Sequence, residues 1–170
     1  MGWNLIVWEF GSMMLLYHND IAPKGDLNSN NGKFIVEALR SGVELNTLDH
    51  FLNVDDLVIL RPVFPDSTTL KDKKESLLLA FRQIGKDYDF NFDVNTTEKI
   101  VCSELAYVCF PQFEWPTEKL VGRHTISPDN VITHLWDSKE LELISFYHDG
   151  VKCKDREKLK ILKKLVLENN

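Results

Sequence analysis

Cys102 stands where a polar turn and a short apolar run, Lys99–Val101, give way to a helical pattern within GKDYDFNFDVNTTEKIVCSELAYVCF, residues 85–110. A thiol at a helix start sits among backbone N–H groups with no partner inside the helix, at the positive end of the macrodipole. Both effects favour thiolate over thiol, so the placement predicts a nucleophile that alkylates below the ordinary thiol range. The competing reading is a buried cysteine acting as a small hydrophobe, the commonest fate of a free thiol. Cys109, further along the same helix, fits that second reading. Cys153 lies in a basic stretch and has no evident chemistry.

A thiolate that attacks a carbonyl needs a proton acceptor and a donor for the developing oxyanion. Five histidines compete for the first role: His18, His50, His124, His134 and His148. Triad partners meet in space rather than in sequence, so no spacing rule selects one. Tyr88, in the turn Tyr88-Asp89-Phe90, either offers its hydroxyl to an oxyanion or simply packs. Glu104 falls in the first turn of the cysteine helix, where the dipole alone accounts for a carboxylate. Glu37 interrupts the apolar run FIVEAL, where it faces solvent or orients something polar. No CxxC or HExxH spacing occurs, so neither a zinc site nor any other cofactor is expected.

The elements that must position these groups mix strands and helices without regular alternation, which predicts an α+β fold. Asn4–Phe10, Met13–His18, Lys33–Ala38, Gly42–Leu45, Asp56–Arg61 and Leu141–His148 read as strands. Ser67–Lys86 is the strongest helix, with Leu70, Leu77, Leu78, Phe81 and Ile84 at helical spacing and Gly85 near its C-cap. The cysteine helix runs to Phe110 and stops at Pro111. Phe113–Gly122 reads as an irregular loop. Ser127-Pro128-Asp129 starts another helix, with Ser as cap and Pro at the first helical position. Lys154–Glu168 is amphipathic, with Leu159, Leu162, Leu165 and Val166 on one face.

At 170 residues, 44% hydrophobic and 27% charged, the chain fits a single domain spanning 1–170 with its own core. The net charge of −6 argues against nucleic acid as a partner. Charge is uneven, since residues 151–170 hold seven Lys/Arg against three Asp/Glu. That stretch is expected to dock on the core by its leucines rather than to contact a membrane. An odd count of three cysteines suggests a reducing compartment. With no basic n-region before the apolar start, and no run of roughly 20 apolar residues, the reading is cytoplasmic.

Two stretches resemble the circularly permuted papain-like amidases and hydrolases of the NlpC-related superfamily, the YiiX/YebB-like group. GKFIVEALRSGVELNTLDHFLNVDDLVILRP, residues 32–62, is similar to that family's glutamate strand, its Gly-Val strand and a strand ending in Arg-Pro. Residues 85–110 are similar to its Tyr-Asp motif followed by Cys-Ser-Glu-Leu. The carboxylate strand precedes the cysteine helix, as in the permuted form. The resemblance implies a small antiparallel sheet or barrel packed against the cysteine helix. It implies Cys102 as nucleophile, Glu37 as the group orienting a histidine, and Tyr88 as an oxyanion or positioning residue. The reaction implied is hydrolysis or acyl transfer through a thioester, on a peptide, peptidoglycan or lipid-like substrate. One position departs from the pattern. The family's histidine falls on Met13 or Leu5 here, and His18 is the nearest imidazole. An inactive domain that binds a ligand or protein partner in the same cleft is therefore the alternative.

Overall fold

The computed structural model describes residues 5–9, 12–17, 34–47, 56–96 and 98–168. Their elements follow in chain order. Strands β1 (Leu5–Glu9), β2 (Ser12–Tyr17), β3 (Phe34–Leu39), β4 (Gly42–Thr47) and β5 (Leu57–Pro62) precede helix α1 (Leu70–Gln83). The two-residue strands β6 (Asp87–Tyr88) and β7 (Lys99–Ile100) lead into helix α2 (Cys102–Cys109). Then come β8 (Glu118–Leu120), β9 (Arg123–Thr125), α3 (Pro128–Asp137), β10 (Leu141–His148), β11 (Val151–Lys152) and α4 (Lys158–Glu168).

Seven strands form one antiparallel sheet in the order β11-β10-β5-β1-β2-β3-β4. It is an open sheet rather than a barrel. Helix α2 packs against β2 and β3, with α1 and α3 at its flanks, while α4 rests on β10. Val36, Ala38, Val43, Val58 and Leu60 share a core with Leu105, Ala106, Cys109 and Phe110 of the α2 region. Burying such aliphatic side chains stabilises the fold by about 1.5–3 kcal/mol each. Ile35 and Glu37 of β3 are buried as well. Because successive strand residues point to opposite faces, β3 is covered on both sides.

The expected helix start at Ser127 is present. The Ser127 hydroxyl accepts from the Asn130 N–H at 3.1 Å, and the Asn130 side chain accepts from the Ser127 N–H at 2.8 Å. Three expectations need correction. The stretch 113–122 is not wholly irregular, because β8 and β9 pair as a hairpin across Val121-Gly122. A short strand, β11, returns from β10 through Asp149-Gly150. Helix α4 begins at Lys158, and it docks through Leu162 and Val166 while Leu159 stays exposed. Among the described residues no helix is long and apolar enough to cross a membrane.

The Gly42-Val43 pair does more than open β4. The Val43 N–H donates to the Lys86 carbonyl at 2.9 Å, and the Gly85 N–H donates to the Val43 carbonyl at 2.9 Å. Gly42 has φ +121°, and a Cβ placed there would lie 2.7 Å from the Lys86 oxygen. The close approach therefore requires glycine. It ties the sheet edge to the segment that carries Tyr88. Gly42→Ala should lower stability by roughly 2 kcal/mol, read as a shift of the urea midpoint. Its Tyr88 environment should change too, visible in near-ultraviolet circular dichroism. An alanine variant as stable as the parent would show that the contact carries no constraint.

Candidate active site

Val101 caps α2 but has no side-chain acceptor to offer the first turn. Half of a capping box is supplied instead by Glu104, whose Oε2 accepts the Val101 N–H at 3.0 Å. The Ser103 hydroxyl donates to the Ile126 carbonyl at 2.6 Å and pins the helix start to the end of the β8–β9 hairpin. Cys102 thus sits on a fixed first turn. It is only 5% exposed.

That burial decides the thiol's behaviour. Loss of solvent around the sulfur raises its pKa, while the N–H groups of Ser103 and of Cys102 itself, together with the Tyr88 hydroxyl, pull the other way. The Glu104 carboxylate adds to the rise. Desolvation wins, so the expectation of a thiol ionised below its ordinary range is corrected. The helix start does supply donors to the sulfur as anticipated, but it meets a larger opposing effect.

Tyr88 reaches the sulfur from β6. A parallel bridge of two residues, Asp87 beside Lys99 and Tyr88 beside Ile100, sets it next to the α2 start. The Asp89 N–H donates to the Ile100 carbonyl at 3.2 Å. Asp89 is buried, and its carboxylate accepts from the Asn91 N–H at 2.8 Å, the Asp93 N–H at 3.2 Å and the Thr96 hydroxyl at 3.1 Å. The Tyr-Asp pair is therefore a presented hydroxyl followed by a loop clamp. Burial and the neighbouring Cys102 raise the phenol's pKa, and the Arg40 guanidinium partly offsets that. The hydroxyl stays protonated and can donate.

Glu104 carries more than a dipole effect. It is 2% exposed, and its Oε1 is buried with no hydrogen-bond partner. Desolvation, with Asp89 and Asp93 nearby, pushes its carboxyl up to about 7, against the bond from Val101. Sequence reasoning missed this role, as it missed Gly42 and Arg40. The apolar surroundings of Glu104, with Val101 before it and Leu105-Ala106 after it, were the available signal.

The structure brings Cys102, Tyr88 and Glu104 together, and it does not bring Glu37 to them. Val36 and Ala38 lie in the core that holds Cys102. Strand alternation turns Glu37 to the other face, where Asn46 of β4 donates to its carboxylate. By the β2–β3 register, which pairs Met14 with Glu37, position 13 has the parity of Ala38. His18 and His50 lie outside the described residues. Of the others, His134 bonds to Glu140 at 2.7 Å and packs on Trp115, beyond the far end of α2. His148 bonds to Asp56 at 2.6 Å. His124 is exposed on β9. No described histidine is hydrogen-bonded to Cys102. Cys109 is fully buried as expected, and burial alone drives its thiol far above the ordinary range. A 670 Å³ cavity lined by Phe64, Leu79, Phe113 and Glu140 lies beyond the C-terminal end of α2 and does not touch Cys102.

Glu104→Gln keeps an acceptor for the Val101 N–H and removes the charge. The folded carboxyl, at about 7 against an ordinary 4.5, holds a proton that the unfolded chain releases. The stabilisation from that proton is complete below the unfolded value and is lost as pH rises through 7. Above that point the buried carboxylate penalises the native state by roughly 3 kcal/mol. The glutamine variant should therefore match the parent near about pH 5 and exceed it near about pH 8.5 in urea midpoint. Its Cys102 should also alkylate several-fold faster at the higher pH, with the opposing anion gone. A stability difference that does not vary with pH would mean that Glu104 titrates as an ordinary glutamate.

None of the curated proteins matches the chain in sequence. Among solved structures, the chain is similar to the crystal structure of metalloprotein yiiX from Escherichia coli O157:H7. The TM-score is 0.62 at 15% identity, covering 86% of this chain and 97% of that one. At that identity the likeness speaks for the fold. Among the described residues no three His, Cys, Asp or Glu side chains converge as a metal site would require. The family model for permuted papain-like amidase enzymes, YaeF/YiiX, C92 family, matches residues 8–154. With the cysteine helix laid across the sheet and Tyr88 at the sulfur, the chain belongs to that family of permuted papain-like amidases.

Proposed function

We propose that the protein hydrolyses an amide bond in a peptide or peptidoglycan-type substrate through a thioester on Cys102. The observation that carries this reading is the convergence of the α2 N-terminal N–H groups and the Tyr88 hydroxyl on one sulfur. The Cys102 thiol gives up its proton, and the sulfur attacks the amide carbon. The carbonyl oxygen gains the negative charge, and Tyr88 with the helix-start N–H groups supplies donors for it. The amine then leaves with a proton, and water cleaves the thioester to return the thiol and a carboxylic acid. The base in this reading is His18, which follows β2; five residues beyond position 13 a regular strand would give it the opposite parity, so the reading requires the chain to leave strand register after Tyr17. Glu37 supports the site at a distance by joining β3 to β4 through Asn46.

A second reading is favoured by one observation. The family's histidine position holds Met13 or Leu5 here, neither of which can take a proton, and that suits a binding domain that has lost turnover. Loss of a general base typically lowers rates by about 10²–10⁴-fold.

Incubation with muropeptides and short peptide amides, followed by amine release and intact-mass detection of a Cys102 thioester, separates the two. Turnover should vanish in Cys102→Ala. Tyr88→Phe should lower kcat by about 10–100-fold with KM little changed. His18→Ala should remove the low-pH limb of the rate profile. Saturable binding with no amine release, unchanged by Cys102→Ala, would establish the inactive reading.

A further inference from the structure

The chain has five arginines, at positions 40, 61, 82, 123 and 156. Four of them have acceptors in the protein. Arg61 pairs with Glu142, Arg82 with Glu75 and Arg156 with Glu157, each at 3.3 Å. Arg123 donates to the Asn91 carbonyl at 3.1 Å. Arg40 is the exception: among the described residues neither a carboxylate nor a carbonyl accepts from it. It is exposed, at the Arg40-Ser41 tip that joins β3 to β4. The unpaired guanidinium is also the one that stands at the candidate active site.

Two features put it there. The tip is anchored, because Gly42 meets the Lys86 oxygen and Val43 shares backbone hydrogen bonds with Gly85 and Lys86. Lys86 leads directly into β6, so the turn that carries Arg40 is tied to the strand that carries Tyr88. The second feature is electrostatic. The Arg40 charge is felt at the Tyr88 phenol, where it opposes the rise caused by burial and by Cys102. Of the side chains whose charge acts on that phenol, Cys102 and Glu104 are anions when ionised, and Arg40 is the cation. A guanidinium offers parallel N–H donors that match the two oxygens of a carboxylate. The protein supplies no such partner, whereas a peptide substrate carries carboxylates of its own.

Resting on the reading of Cys102 as nucleophile, we propose that Arg40 selects substrates that carry a carboxylate beside the scissile amide. The scissile carbonyl stays with Tyr88 and the α2 N–H groups, and the carboxylate takes the Arg40 fork on the β3–β4 side of Tyr88. Arg40 is thus a specificity residue, and Gly42 matters to it by fixing the turn. The carboxylate belongs either to the amine that leaves, as at a peptide's C-terminus, or to the acyl part that stays on sulfur. The two sources share one recognition chemistry and are separated by the substrates used.

The test compares acids with their neutral amides. N-acetyl-alanyl-alanine against its C-terminal amide places the carboxylate on the leaving amine. The 4-nitroanilides of succinic acid and of its monoamide place it on the acyl part. In one pair the acid should be cleaved with a kcat/KM about 5–30-fold above the amide. Arg40→Gln should bring that ratio to one or below, and Arg40→Lys, which keeps the charge without the fork, should retain part of it. Arg82→Gln removes the same net charge far from the site and should leave the ratio as it is. Equal rates within both pairs in the parent would overturn the proposal. Equal slowing of acid and amide in Arg40→Gln would overturn it too, because Arg40 would then act only through Tyr88. A second arm does not need a reactive thiol. The same four compounds are titrated into Cys102→Ala by nuclear magnetic resonance, with and without Arg40→Gln. An Arg40-dependent preference for the acid without any amide hydrolysis would count against the nucleophile and for the carboxylate site. Binding of inorganic phosphate with no preference between acid and amide would mark a general anion site, and the proposal would fall.

Discussion

Ionising Cys102 means placing negative charge where solvent hardly reaches. Three donors oppose that desolvation: two backbone N–H groups at the α2 start and the Tyr88 hydroxyl. They do not overcome it, so the resting state is the neutral thiol. Glu104 stands on the unfavourable side of the balance whenever it is charged. Its raised carboxyl pKa keeps it neutral over the acidic half of the working range, and the same low-polarity surroundings that disfavour the thiolate thereby remove an anion from beside it. Burial thus sets both groups, and their protonation states are coupled through the first turn of α2.

The architecture is organised around delivering Tyr88 to that turn. The phenol does not come from the main sheet or from a helix. It comes from β6, attached to the sheet edge by the Gly42–Lys86 approach and to β7 by a two-residue bridge. Asp89 then closes the loop behind it with three hydrogen bonds. On the other side, Ser103 anchors α2 to the hairpin through Ile126. Tyr88 and Cys102 are therefore held by attachments that begin at Gly42, Asp89 and Ser103, beside the two-residue β6–β7 bridge.

Much of this was legible in the chain. Short apolar runs marked β1 to β5 and β10, and the Ser127-Pro128 signature marked α3 because capping chemistry is local. The motif order gave the family and the cysteine helix. What stayed hidden depended on three-dimensional placement. FIVEAL is buried on both faces, so its apolar run cannot say which side Glu37 takes; the register with β4 decides it. The raised thiol pKa follows from the packing of α2 against β2 and β3, whereas the helix-start argument is purely local. The β8–β9 hairpin escaped notice because its turn places Val121 in a conformation that turn chemistry assigns to glycine, asparagine or aspartate. Leu159 fits the helical period as well as Leu162 does, and only the docking angle of α4 leaves it in water.

The β6–β7 bridge is among the shortest pairings of this frame: two residues a side, with Asp87 and Lys99 exposed. Segments of that kind detach locally at far lower free energy than the domain unfolds. Solvent would gain the Cys102 sulfur through such breathing, so oxidants and small electrophiles would meet it at a frequency set by the loop's opening and not by their own concentration alone. The thiol is thereby sheltered between encounters, and whatever ligand holds Tyr88 in place lengthens that shelter.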